Sequence, residues 1–171
     1  AYNEQYNGSS WTETTDANTA RRNAGTFGTT TSSLIYGGQT PSVTNITESW
    51  NGSAWTEVSD LNSSRTGLSS TGAGVSNTSG LMASGFVVPP YSAGTEVWDG
   101  SSWTETTEIN TARSYAFAFG IQTAGVIAGG YIPPSYGTTA VTEYWNGSSW
   151  TETGDLNTAR FGIGGAGVYT A

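Results

Sequence analysis

The 171-residue chain has no cysteine, no histidine and no lysine, and only one methionine and five prolines. Without cysteine there is no disulfide, no zinc-thiolate centre and no thiol nucleophile. Without histidine there is no Ser-His-Asp triad, no imidazole-bound zinc or copper and no near-neutral proton shuttle. Positive charge comes from five arginines alone, set against 13 acids for a net charge of −8. A chain with so few cations has little with which to displace the counterions of a phosphate backbone, so no nucleic-acid partner is expected. No segment approaches the roughly 18 apolar residues of a membrane span, so no membrane insertion is expected either. The start, Ala1-Tyr2-Asn3-Glu4, has neither a basic nor an apolar stretch, so no signal peptide is read there. The chain begins without Met and reads as a processed product or a fragment. Its length suits one domain over residues 1–171.

What is abundant is Thr, Ser and Gly, 74 of the 171 residues, and they are arranged periodically. Four segments align: Asn7-Gly-Ser-Ser-Trp-Thr-Glu13, Asn51-Gly-Ser-Ala-Trp-Thr-Glu57, Asp99-Gly-Ser-Ser-Trp-Thr-Glu105 and Asn146-Gly-Ser-Ser-Trp-Thr-Glu152. Their tryptophans, Trp11, Trp55, Trp103 and Trp150, lie 44, 48 and 47 residues apart. An aromatic stands five positions before each: Tyr6, Trp50, Trp98 and Trp145. Each copy runs on to an acid and an arginine: Asp16 to Arg21, Asp60 to Arg65, Glu108 to Arg113 and Asp155 to Arg160. The repeats fall at about 1–21, 22–65, 66–113 and 114–160, with a partial copy over 161–171.

Each repeat reads as β. Asn-Gly between two Trp-bearing runs is a strong hairpin signal, and a two-residue type I′ turn with φ > 0 at both positions is expected there. Residues 47–50 and 54–58 should therefore pair antiparallel. Small-residue runs such as Tyr115-Ala-Phe-Ala-Phe-Gly120 and runs ending in glycine, such as Leu34-Ile-Tyr-Gly-Gly38, supply two more strands. Four short strands per ~47 residues are the signature of a β-propeller blade. The expected fold class is thus all-β, a propeller of four-stranded antiparallel blades with about 3.6 repeats of ~47 residues in this chain. Lettered outward from the axis, the small-residue run is strand a, the Gly-ending run b, and the hairpin c and d. Glycine in b should let a neighbouring ring approach the backbone, and the outer tryptophans should fill the wedge between blades.

The order Gly-Gly, two spaced aromatics, then an acid and Arg resembles the kelch repeat. The wording Trp-Asn-Gly-Ser-Ser-Trp-Thr-Glu with Leu-Asn-Thr-Ala-Arg is also similar to kelch-like repeat proteins of marine bacteriophages. The second copy departs with Ser84-Gly85 for Gly-Gly, and the first with Tyr6 for Trp. The resemblance implies a ring of six or seven blades, more than this chain supplies. Three closures fit: part of a longer propeller, a ring completed by two copies, or four blades closing alone.

Twelve of the 13 acids occupy three repeat positions, and the thirteenth, Asp99, replaces a turn Asn. Catalysis needs local asymmetry, so these acids read as structural, and a glycoside hydrolase or a calcium site is the weakest reading. Arg21, Arg65, Arg113 and Arg160 recur once per repeat. They form either a guanidinium ring at one mouth or, more simply, ion pairs tacking one blade to the next. With Trp11, Trp55, Trp103 and Trp150 they are assigned to structure. Galactose-oxidase-like chemistry on such a ring would need the missing Cys and His. No enzyme activity, cofactor or metal is expected.

The repeats differ most in the b–c connections over residues 39–45, 87–94 and 131–137, two of which place Pro-Pro beside Tyr. Loops on a rigid scaffold commonly carry recognition. Tyr91, Tyr131, Tyr136 and Gln39 are the candidate ligand-binding residues, offering rigid aromatic surface for a sugar ring or a protein. The expected function is a non-enzymatic binding or structural module, a virion appendage or extracellular propeller contacting cell-surface glycan or protein. It would act as a homo-oligomer or within a larger virion assembly. The main alternative is an intracellular kelch adaptor binding a protein partner.

Overall fold

The computed structural model describes residues 2–68, 72–87, 91–132 and 137–167, and among these every regular element is a strand. The chain opens with a hairpin of β1 (Glu4–Tyr6) and β2 (Trp11–Glu13). Sheet I follows with β3 (Gly25–Thr29) and β4 (Ser32–Tyr36), then a small ribbon of β5 (Gln39–Thr40) and β6 (Ser42–Val43), then β7 (Thr47–Trp50) and β8 (Trp55–Val58). Sheet II comprises β9 (Gly72–Ser76), β10 (Ser79–Ala83), β11 (Thr95–Trp98) and β12 (Trp103–Thr106). Sheet III has β13 (Phe117–Ile121), β14 (Ala124–Ala128), a ribbon of β15 (Tyr131–Ile132) and β16 (Gly137–Thr138), then β17 (Thr142–Trp145) and β18 (Trp150–Glu152). Each of the three sheets is antiparallel, four-stranded and ordered as the chain runs, the a-b-c-d sequence read from the repeat.

The outer hairpins pair Trp50 with Trp55, Trp98 with Trp103 and Trp145 with Trp150. That register leaves four residues in each turn, not two. Only glycine takes a positive φ there, 96° at Gly52 and 99° at Gly100. The Asn51 side chain instead accepts the Ser53 and Ala54 amides at 2.9 and 3.0 Å, an Asx turn. The type I′ expectation is therefore corrected: asparagine is present for its carbonyl oxygen rather than for left-handed backbone.

The core lies between sheets, not within one. Phe27, Leu34 and Tyr36 of sheet I meet Met82, Trp98 and Trp103 of sheet II. Ala73, Leu81 and Ala83 of sheet II meet Ile127, Trp145 and Trp150 of sheet III. The Trp103 ring stands edge-on to Tyr36 at 5.1 Å and to Phe27 at 6.2 Å. Glycine permits this closeness: a Cβ at Gly80 would collide with the Phe27 ring, and one at Gly72 with the Tyr36 hydroxyl. Strands β3, β9 and β13 face one another, and with residues 165–167 they line a cavity of about 320 Å³.

Candidate functional site

Each junction between neighbours is held by the same charged lock. Arg21 pairs with Glu48, Arg65 with Glu96 at 2.8 Å and Arg113 with Glu143 at 3.0 Å, all six side chains being at most 3% exposed. Burial lowers the three guanidinium pKa values from their ordinary level, while the paired glutamates oppose the shift. Backbone amides complete the carboxylates: Asn18, Asn62 and Asn110 donate to Glu48, Glu96 and Glu143 at 2.7, 2.9 and 2.7 Å. Asp16, Asp60 and Asp155 accept the amides of Asn3, Thr47 and Thr142 at 3.2, 3.1 and 3.3 Å. These acids and arginines are thus committed to protein contacts. Among the described residues no group of three Asp or Glu side chains could hold a metal ion.

The variable face is built differently. Past each repeat arginine, whether locked (Arg21, Arg65, Arg113) or not (Arg160), the chain turns a corner, and the second residue takes a left-handed backbone. These are Asn23, Gly67, Tyr115 and Gly162, at φ of 54°, 65°, 52° and 64°. Three corner bonds tie them in series: Leu68 N–H donates to the Asn23 carbonyl, Tyr115 N–H to Gly67 and Gly162 N–H to Tyr115. Asn and Gly tolerate that conformation; a tyrosine there stores roughly 1–3 kcal/mol of strain. Surrounding contacts hold it. The Tyr115 ring lies over Gly67, where a Cβ would sit 3.1 Å from it, and Asn23 Nδ2 donates to the Tyr115 hydroxyl at 3.3 Å.

The residue before each corner bridges to the start of a b–c connection: Arg22 to Gln39, Thr66 to Phe86 and Ser114 to Tyr131. These bridges bring the variable side chains together. Tyr115 meets Tyr131 edge-on at 6.1 Å, and Tyr131 stacks on Phe161 with ring centroids 3.9 Å apart. Phe86 meets Tyr91 edge-on at 5.7 Å. Between them opens a cavity of about 370 Å³ lined by Thr66, Phe86, Ser114, Tyr115, Tyr131 and Phe161. None of these six is charged. The Thr66 hydroxyl is buried and finds no hydrogen-bond partner among the described residues.

Of the residues singled out from the sequence, Tyr131 lines this cavity and Tyr91 stands behind Phe86. Gln39 lies at a separate, shallow place, where Arg22 Nε donates to its side-chain oxygen at 3.3 Å. Tyr136 lies outside the described residues. Phe86, Tyr115, Phe161 and Thr66 were not anticipated. A signal for Tyr115 existed in the repeat alignment, where it stands against Asn23, Gly67 and Gly162.

Neither a protein-family profile nor a curated protein matches this chain.

Proposed function

We propose that the chain is a non-enzymatic recognition module, a kelch-like propeller or part of one, which binds an uncharged ligand through its b–c face. The observation that carries this is the aromatic cavity around the left-handed Tyr115. Strain held at a non-glycine residue and compensated by neighbouring contacts is a mark of functional positions. A cavity of about 370 Å³ has room for one or two sugar rings or a few apolar side chains. The flat aromatic faces of Tyr131, Phe161 and Phe86, with no charged neighbour in the lining, suit the C–H face of a neutral saccharide. Cell-surface glycan is therefore the reading we favour, with protein as the second. The fourfold repeat, the four-strand order and the convergent inner strands support the propeller reading. The likeness to phage kelch-like proteins supports a virion appendage or extracellular setting.

A glycan array of the intact chain, followed by titration of the best hit, tests the proposal. Saturable binding that falls at least tenfold in Tyr131→Ala is expected, with the melting transition retained. No binding to any sugar or to host cells, or equal binding by the variant, overturns it.

A further inference from the structure

The two outermost faces of the structure are halves of the lock described above, each without its counterpart among the described residues. On one side, residues 155–160 sit on sheet III as their equivalents sit on theirs. Leu156 N–H donates to Ala140 at 3.0 Å, and Gly130 N–H to the Arg160 carbonyl at 2.8 Å. Yet Arg160 is exposed, and it makes no ion pair among the described residues. On the other side, hairpin β1–β2 is preformed: Tyr6 and Trp11 pack at 5.3 Å and 41°, as Trp50 and Trp55 do at 5.2 Å and 40°. Glu4, in register with Glu48, Glu96 and Glu143, is exposed and lacks an arginine among the described residues. Trp11 is 67% exposed, whereas Trp103 and Trp150 are 5% and 6% exposed.

We propose that these faces recognise each other between molecules, so that the Arg160 face of one chain docks on the Glu4 face of a second copy, head to tail. The occupant follows from complementarity at each repeat position. Arg160 would meet Glu4, as Arg113 meets Glu143. The Asn157 and Thr158 amides would complete that carboxylate, as those of Asn110 and Thr111 do at 2.7 and 3.2 Å. The Asn157 side chain would reach the Trp11 carbonyl, as Asn62 reaches that of Trp103 at 3.1 Å. The Trp11 indole would donate to Thr142, as Trp103 and Trp150 donate to Thr47 and Thr95, both at 3.1 Å. The two faces match each other but neither matches itself. Such a heterologous contact repeats until it closes a ring or extends as a filament.

Charge exchange on the 171-residue chain provides the test. Sedimentation velocity across a concentration series should show the wild type associating, and Trp11 burial should shift the indole emission to the blue. Arg160→Glu alone sets one carboxylate against another across the contact, and Glu4→Arg alone sets one guanidinium against another. Each should weaken self-association by roughly 30-fold or more. An equimolar mixture contains both matched pairings and should reassemble, a recovery that misfolded variants would not show. A wild type that stays monomeric at every concentration overturns the proposal. So do single variants that associate normally, or disrupted variants whose mixture remains dissociated.

Discussion

The junctions inside the molecule and its two outer faces use the same residues and differ in what those residues touch. Trp103 is buried against Tyr36 and Phe27, while Trp11, in an identical Gly-Ser-Ser-Trp-Thr-Glu context, stands mostly in solvent. Arg113 is enclosed with Glu143, while Arg160 closes the same Leu/Ile-Asn-Thr-Ala-Arg motif and is exposed. The repeat motif therefore specifies an interface rather than a self-sufficient unit. A single sheet cannot bury its own tryptophans; it needs a neighbour on each side.

That contrast can be broken most forcefully at the buried pair. Arg113→Ala leaves Glu143 uncompensated in the core and should cost about 3–5 kcal/mol, whereas Arg160→Ala in dilute protein should stay within ~0.5 kcal/mol. Urea titration of both variants checks this, and equal losses would contradict it. Next in size, Trp103→Phe removes the indole donor to Thr47 and should cost about 1–3 kcal/mol. Trp11→Phe, with no such partner among the described residues, should change little by the same measurement. Smaller, and opposite in sign, Thr66→Val removes a buried hydroxyl without a described partner and should stabilise by ~1 kcal/mol. Urea titration checks this, and a destabilised variant would mean that the hydroxyl is bonded in the free protein.

The third turn sharpens the comparison least but most selectively. Asp99 replaces the asparagine of the other turns, and its bonds from Ser102 and Ser101 lower its pKa from 3.8 to about 2. A depressed acid stabilises the fold above its unfolded pKa and loses that contribution as pH falls through the folded value. Melting temperature should therefore drop more between pH 3.8 and about 2 in the wild type than in Asp99→Asn. Parallel slopes for the two proteins would contradict this.

Much of the architecture was legible because it is local and repeated. The hairpin pairing and the a-b-c-d order follow from short stretches whose chemistry admits few alternatives, whereas the glycine that lies beneath a ring is Gly80, at the start of its strand and not among the run-ending glycines. The turn type was misread because Asn-Gly serves two geometries. Only the register, with Trp50 opposite Trp55, distinguishes left-handed backbone from a side-chain cap. The aromatic cavity was half legible. Tyr131 stood out for its Pro-Pro context, but Phe86, Tyr115 and Phe161 come from three different repeats and meet only in the folded chain. Nor could identical motifs reveal that Trp11 and Arg160 differ from their copies, since exposure depends on what lies beside a repeat.

The polarity of the lock bears on how such a chain lengthens. Each unit presents Glu on its leading side and Arg on its trailing side, so a copied stretch of about 47 residues meets its charged partners on both flanks. Tandem duplication then leaves the charged lock intact at the moment it occurs. The new copy inherits working contacts on both flanks, and its corner and b–c connection are free to diverge. The uniform charges and the dissimilar aromatics of Phe86 and Tyr131 would be the two products of that history: a fixed coupling, and a surface released from it.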